Sequence, residues 1–259
     1  MARVLVIIPA YNERETIRAV IASLREHAPE YDIVVVDDGS TDETTEIVRS
    51  LGVPVLRLPF NLGIGGAVQT GYQYALREGY DVAVQCDADG QHPVHQMRRL
   101  VERIEDGSGN LVIGSRFVTD TEYSPSMARR VGKSLLSRLV DSVTGLGITD
   151  TTSGFRAADR KVIAVFAESY PEDYPESETI VIAHKHGLKT IEVPVDMQPR
   201  QGGSSSIGPR RAAYYIIKVS LAIFVNVFKR FTGGPGGVAR NKSQNDGHKN
   251  GLEPRVCKR

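Results

Sequence analysis

Cysteine is nearly missing from this chain: of 259 residues only Cys86, in an apolar strand-like run, and Cys257, in a polar stretch, carry a thiol. Two thiols so differently placed make no disulfide framework and fit a reducing compartment. An excess of charge is missing too. Lys and Arg number 32 against 31 Asp and Glu, a formal net charge of +1, so there is no global pull toward nucleic acid and any basic patch is local. Long hydrophobic runs are absent as well. The opening Met-Ala-Arg-Val-Leu-Val-Ile-Ile-Pro is too short for a secretory signal and runs straight into a motif. The apolar stretch 214–228 falls short of the roughly 20 residues that cross a bilayer. Together these absences point to the cytoplasm, with a peripheral place on the cytoplasmic face of a membrane left open. No internal repeat is found. The remaining composition, 41% hydrophobic and 24% charged, is that of an ordinary globular chain long enough for a real core.

Residues 4–8 form a continuous apolar run, as in a buried parallel strand that Pro9 ends. Asn12, with Glu15 three residues on, offers a capping box for a helix whose apolar face is Ile17, Val20, Ile21 and Leu24. Strands over 33–36, 53–58, 82–86 and 111–113 alternate with helices from near Asp42, over 65–77 and over 93–105. This alternation predicts an α/β fold with a mostly parallel central sheet and helices on both faces. Ligands of such sheets bind at the carboxyl ends of the strands, and the polar motifs here follow Ile8, Val36 and Cys86. The second half predicts a basic helix over 124–144, a polar loop over 150–156, a helix over 178–186, a strand over 190–195 and a Gly/Ser-rich loop over 200–208. The chain thus divides into a main domain, 1–208, a helical segment, 209–232, and a polar, basic tail, 233–259, read as disordered.

The sharpest motif is Asp87-Ala88-Asp89, directly after a strand. In an extended segment alternate residues share a side, and two like charges in one small space call for a cation. Oxygen ligands with open positions suit Mg²⁺ or Mn²⁺, which would neutralise charge on a departing diphosphate. The plainer alternative, turn residues before Gly90 and Pro93, is outweighed by the strand-end location and by a second acidic pair, Asp37-Asp38, at another strand end. That pair reads either as a tight turn whose Ser40–Asp42 cap a helix or as an acceptor for a base or ribose. The run from Asn61 to Gly66 either cradles a phosphate at a helix start or permits close packing. It matches neither the dinucleotide fingerprint nor a Walker lysine.

Taken in order, Ile8-Pro9-Ala10-Tyr11-Asn12-Glu13, Val36-Asp37-Asp38-Gly39-Ser40-Thr41-Asp42, Asp87-Ala88-Asp89-Gly90-Gln91-His92-Pro93 and Gly114-Ser115-Arg116-Phe117 resemble the motifs of glycosyltransferase family 2, with its GT-A fold, over roughly residues 3–208. Within that family the chain is most similar to dolichyl- and polyprenyl-phosphate mannose or glucose synthases that lack transmembrane helices, and it shares their Ser-Gly-Phe at Ser153-Gly154-Phe155. The resemblance implies that Pro9, Tyr11, Glu13, Asp38, Asp87 and Ala88 line the nucleotide-sugar pocket. It implies that Asp87, Asp89 and Gln91 surround Mg²⁺ or Mn²⁺, and that Arg200 closes over the diphosphate. It further implies that Arg116, Arg130 and Ser134 hold an acceptor phosphate. Arg130 and Ser134 are four apart, hence on one helical face, and the planar fork of Arg suits phosphate; a solvated basic face with Arg129 and Lys133 is the plainer alternative. The chain departs from many relatives at Gly203-Ser204-Ser205-Ser206, where they carry Gly-x-Ser-Lys.

The function this implies is transfer of mannose or glucose from a GDP- or UDP-linked donor to a polyprenyl phosphate, metal-dependent and inverting. A sugar-hydroxyl acceptor would need a general base, for which Glu178 and Glu176 are candidates, although acids also favour a helix start. A non-catalytic nucleotide-binding scaffold is the reading from another class. The 209–232 helix offers a membrane-surface, membrane-partner, homodimer or packing role.

Overall fold

Strands form where apolar residues run without a break, and helices where they recur every third or fourth position. The computed structural model describes residues 2–116, 127–172 and 175–197, with Leu221; for residues 127–135 only the backbone is described. In chain order the elements are β1 (Val4–Ala10), α1 (Ile17–His27), β2 (Asp32–Asp37), α2 (Thr44–Ser50), β3 (Val55–Arg57), α3 (Gly63–Arg77), β4 (Val82–Gln85), α4 (Met97–Glu105), β5 (Leu111–Ser115), α5 (Met127–Thr144), β6 (Arg156–Asp159), α6 (Arg160–Glu168), α7 (Pro175–Lys185) and β7 (Thr190–Pro194). They build one seven-stranded sheet in the order β3-β2-β1-β4-β6-β5-β7. All strands run parallel except β6, which is antiparallel to both β4 and β5.

The chain leaves β1 toward β2 and β3 on one side, then returns to place β4 on the other. The order therefore reverses between β1 and β4, and a crevice at their carboxyl ends is where such sheets bind ligands. Helices cover both faces. On one, Ile17, Ile21 and Leu24 of α1 and Met97 and Leu100 of α4 pack on Val6, Ile8 and Val84. On the other, α3, α5, α6 and α7 pack on Leu5, Ile7 and Ala83. Fully burying each Leu or Ile contributes about 1.5–3 kcal/mol.

Several local expectations fail for physical reasons. β1 runs through Pro9 to Ala10: the β4 ladder has ended at Ile7↔Gln85, so the missing N–H of Pro9 costs little on that side. No capping box forms at Asn12. α1 starts at Ile17 without a side-chain cap, while Asn12 adopts φ 55° and its Oδ1 accepts the Thr41 N–H at 2.9 Å. The loop read as ending at Arg156 instead delivers β6 and α6. Asp159 caps α6 by accepting the Val162 N–H at 2.9 Å. The C-terminal segments 209–232 and 233–259, the loop 200–208 and Phe117 lie outside the described residues apart from Leu221. Among the described residues no helix is long and apolar enough to cross a membrane.

Candidate active site

At the tip of β2 the two aspartates split their work. Asp37 is fully buried; its carboxylate accepts the Ser40 N–H at 2.8 Å and a short bond from the Thr45 hydroxyl, which makes it a loop brace. Asp38 accepts the N–H groups of Leu62 (2.7 Å) and Gly63 (2.9 Å), one on each oxygen. It is thus the anion at the α3 N-terminus, the place a phosphate would otherwise take. Burial pushes its carboxyl upward, against those two N–H bonds. The glycine run serves close packing: a Cβ on Gly65 would lie 2.1 Å from the carbonyl oxygen of Pro171.

Beside it, β1 delivers Pro9, buried in the sheet, and then Tyr11, 46% exposed at the crevice. Glu13 is half-buried and accepts the Thr16 hydroxyl at 2.7 Å. The Glu13 N–H donates to Thr44 Oγ1 at 2.9 Å, and the Asn12 N–H to Ser40 Oγ at 2.9 Å. The two loops are therefore laced together.

β4 ends at Gln85, and Ala88 and Asp89 already lie in a turn. The alternation argument for Asp87 and Asp89 therefore lapses, and their placement follows from specific bonds. Gln85 Nε2 donates to Asp87 Oδ1 at 3.2 Å. The Asp87 N–H donates to His92 Nδ1 at 2.9 Å, which leaves the proton of the neutral ring on Nε2, 3.5 Å from Asp87 Oδ2. His92 is itself fixed against the Phe155 ring, 5.0 Å between centroids. Asp87 keeps 36% of its side chain exposed. Asp89 is 6% exposed and accepts the Gln91 N–H at 3.0 Å. Ala88 buries its methyl in the α1/α4 core, so a ligand can meet only its backbone. Gly154, two residues before β6, approaches Asp87: a Cβ there would stand 3.1 Å from Asp87 Oδ2. His92 went unassigned in the sequence, although its place in the Asp-Ala-Asp-Gly-Gln-His-Pro run marked it.

Arg116, just beyond β5, does not present an open fork. Its Nε and Nη2 donate to the two oxygens of Asp150 at 2.7 and 2.8 Å, and Nη2 reaches Thr152 Oγ1 at 3.0 Å. Asp150 is fully buried, and Glu192 of β7 anchors it by accepting the N–H groups of Thr149 (2.8 Å) and Asp150 (2.7 Å). Neither Asp150 nor Glu192 stood out in the sequence, because each acts on a residue 34 or more positions away. Of the two candidate bases, Glu178 is 8% exposed within α7. The half-buried Glu176 has its carboxyl pushed up chiefly by burial, which Arg156 opposes; Asp87 adds to the rise and Arg116 opposes it. The side chains of Arg130 and Ser134, on α5, and the whole of Arg200 lie outside the described residues.

Comparison with known proteins bears on family and fold. The family model described as "Glycosyl transferase family 2" matches residues 5–166. Polyprenol monophosphomannose synthase of Mycolicibacterium smegmatis is 32% identical over 231 residues, covering 84% of this chain and 86% of that one. Undecaprenyl-phosphate mannosyltransferase of Micrococcus luteus is 37% identical over 219 residues, covering 79% and 87%. In fold, the chain superposes on the crystal structure of glucosyl-3-phosphoglycerate synthase from Mycobacterium tuberculosis with Mn²⁺ and UDP-glucose, with TM-score 0.69 and 21% identity, over 90% of this chain and 81% of that one.

Proposed function

Because the chain belongs to glycosyltransferase family 2, and is therefore a glycosyltransferase of GT-A fold, we propose that it moves mannose or glucose from a GDP- or UDP-linked donor to a polyprenyl phosphate, inverting the anomeric carbon. The observation that supports this most is the carboxylate of Asp87, held partly exposed at the end of β4, where the strand order reverses, with Gly154 keeping space beside it.

A divalent cation fits that place. Among the described residues no three His, Cys, Asp or Glu side chains converge as a ready-made cage. Mg²⁺ and Mn²⁺ do not require one: they bind through one or two carboxylates and complete their shell with water and substrate phosphate. Asp87 and Asp89 supply hard oxygen donors, and Gln91 would join them. When bound, such an ion stabilises negative charge on the leaving diphosphate.

The chain's own residues do the rest. The laced loops of β1 and β2 hold Tyr11, Glu13 and Asp38 in fixed positions for the nucleotide. Gln85 and His92 orient Asp87. Arg200 closes over the diphosphate. Arg116, held by Asp150, would share the acceptor phosphate with Arg130 and Ser134. That acceptor is already anionic at neutral pH, so positioning and charge stabilisation suffice without a strong base. The 209–232 segment would rest on the cytoplasmic face of the membrane, where a lipid acceptor is met, alone, through a membrane partner, or as a homodimer.

A donor screen with Mn²⁺ and a polyprenyl phosphate, run beside Asp89→Asn, tests the proposal. Lipid-linked sugar is expected from one donor and not from the variant. Product on a soluble sugar alone would move the assignment to a hydroxyl acceptor. Glu178 is then the base to examine, through Glu178→Gln, with Glu176, whose carboxyl is pushed up chiefly by burial, compared through Glu176→Gln.

A further inference from the structure

Arg156 opens β6 and is 1% exposed. Its guanidinium donates from Nε to the Ser153 carbonyl at 2.6 Å, from Nη1 to Thr179 Oγ1 at 2.6 Å and from Nη2 to the Thr151 carbonyl at 3.3 Å. All three acceptors are neutral. Among the described residues no carboxylate stands within ion-pair distance of it, in contrast to Arg116 on Asp150. A guanidinium keeps its proton in proteins, and a buried charge with no carboxylate bonded to it, only Glu176 acting on it from farther off, is costly.

The register shows where the potential of that charge falls. Arg156 is the cross-strand partner of Gln85, and Gln85 holds Asp87 through its amide. Ala83 and Ala158 face the α3/α6/α7 core, while Val84, Cys86 and Ala157 face the α1/α4 core. Strand alternation therefore puts Arg156 and Gln85 on one side, and the Gln85 amide reaches Asp87 beyond the end of the strand. Arg156 stands one pleat behind Asp87, with Thr179 of α7 closing over it. The Coulomb effects of Arg156 and Asp87 meet at Glu176.

We propose that Arg156 is a built-in electrostatic element of the donor site, a buried cation behind Asp87 that attracts the diphosphate through the protein interior without touching it. The inference rests on the donor-site reading above. At an effective dielectric of about 20, a unit charge roughly 10 Å away is worth on the order of tenfold in affinity, and burial shields it from salt. Its sign sets it apart from a scaffold role. A buried cation helps an anion bind and hinders a cation, whereas loosened packing weakens both.

The test uses the full chain and Arg156→Gln, Arg156→Lys and Thr179→Val. UDP and GDP binding is measured by calorimetry in EDTA and again with Mn²⁺, Mn²⁺ binding by electron paramagnetic resonance without nucleotide, and melting alongside. Arg156→Gln is expected to bind the diphosphate about tenfold more weakly and Mn²⁺ no more weakly than the native chain. Arg156→Lys, which keeps the charge and loses the fork, and Thr179→Val, which loses one bond to it, are expected to melt lower yet hold the diphosphate within about threefold. Equal loss in Arg156→Lys and Arg156→Gln, joint loss of anion and cation binding, or loss in Thr179→Val would overturn the proposal. Should Arg156→Gln not fold, the Lys and Val variants decide. A native chain that binds neither diphosphate even after Mn²⁺ is added would sink the donor-site reading itself, whereas native binding with an indifferent Arg156→Gln would sink only this inference.

Discussion

Asp38 and Asp87 sit at the tips of two strands that flank β1, and their surroundings give them different tasks. Asp38 spends both oxygens on the first N–H groups of α3, so Asp38→Asn, which must turn one N–H donor toward another, is expected to cost about 1–2 kcal/mol in urea unfolding. Asp87 is held by an amide and an imidazole yet stays partly exposed. Asp87→Asn should therefore fold normally and lose transfer by roughly 10²-fold or more. Cys86 gives a cleaner readout of burial. Its thiol is fully enclosed and pushed upward by burial, then by Asp87 and Asp89. Because the reactive form is the thiolate, an alkylating reagent at pH 8 should leave Cys86 unlabelled until the chain unfolds, as mass spectrometry can check. At this scale Asp87 and Asp89 were legible in the sequence, since a strand end and a motif mark them. His92, Asp150, Glu192 and Arg156 were not assigned, since their roles depend on which distant residue the fold brings to them.

Among elements, the long apolar runs of β1, β2 and β4 and the 3.6-period faces of α1 and α4 were readable directly. β6 was not: Arg-Ala-Ala-Asp offers only two small apolar residues, and its central place comes from pairing with β4 and β5. α6 did carry a signal, Asp159 as a cap followed by Val162, Ile163 and Phe166 facing the core. The start of α3 depends on a close backbone approach. A methyl on Gly65 meets two carbonyl oxygens, of Pro171 and Glu172, at 2.1 and 2.2 Å, and breaks the Gly65 N–H bond to Glu172 at 3.1 Å. Gly65→Ala is accordingly expected to destabilise the chain by about 1–3 kcal/mol in denaturant titration, the usual range for overpacking. Neither carbonyl can swing aside as a side-chain tip would.

For the molecule as a whole, the alternation of strands and helices foretold the parallel sheet, and the reversal between β1 and β4 explains why the motifs collect on one edge. What the pattern did not reveal is the antiparallel insertion of β6. That insertion brings Gly154 up to Asp87 and sets Arg156 opposite Gln85, both from the second half of the chain. The 209–232 segment is a separate matter of location. Deleting residues 209–259 should abolish co-sedimentation with vesicles that contain a polyprenyl phosphate, while UDP or GDP binding persists. Unchanged sedimentation would exclude a membrane-surface role for that segment.

If a divalent ion at the end of β4 stabilises charge on the departing nucleotide, transfer must depend on that ion. The direct measurement is transfer to polyprenyl phosphate with Mn²⁺, after EDTA, and after Mn²⁺ is restored in excess. Loss on chelation and recovery on restoration are predicted; turnover that EDTA leaves unchanged would contradict the account.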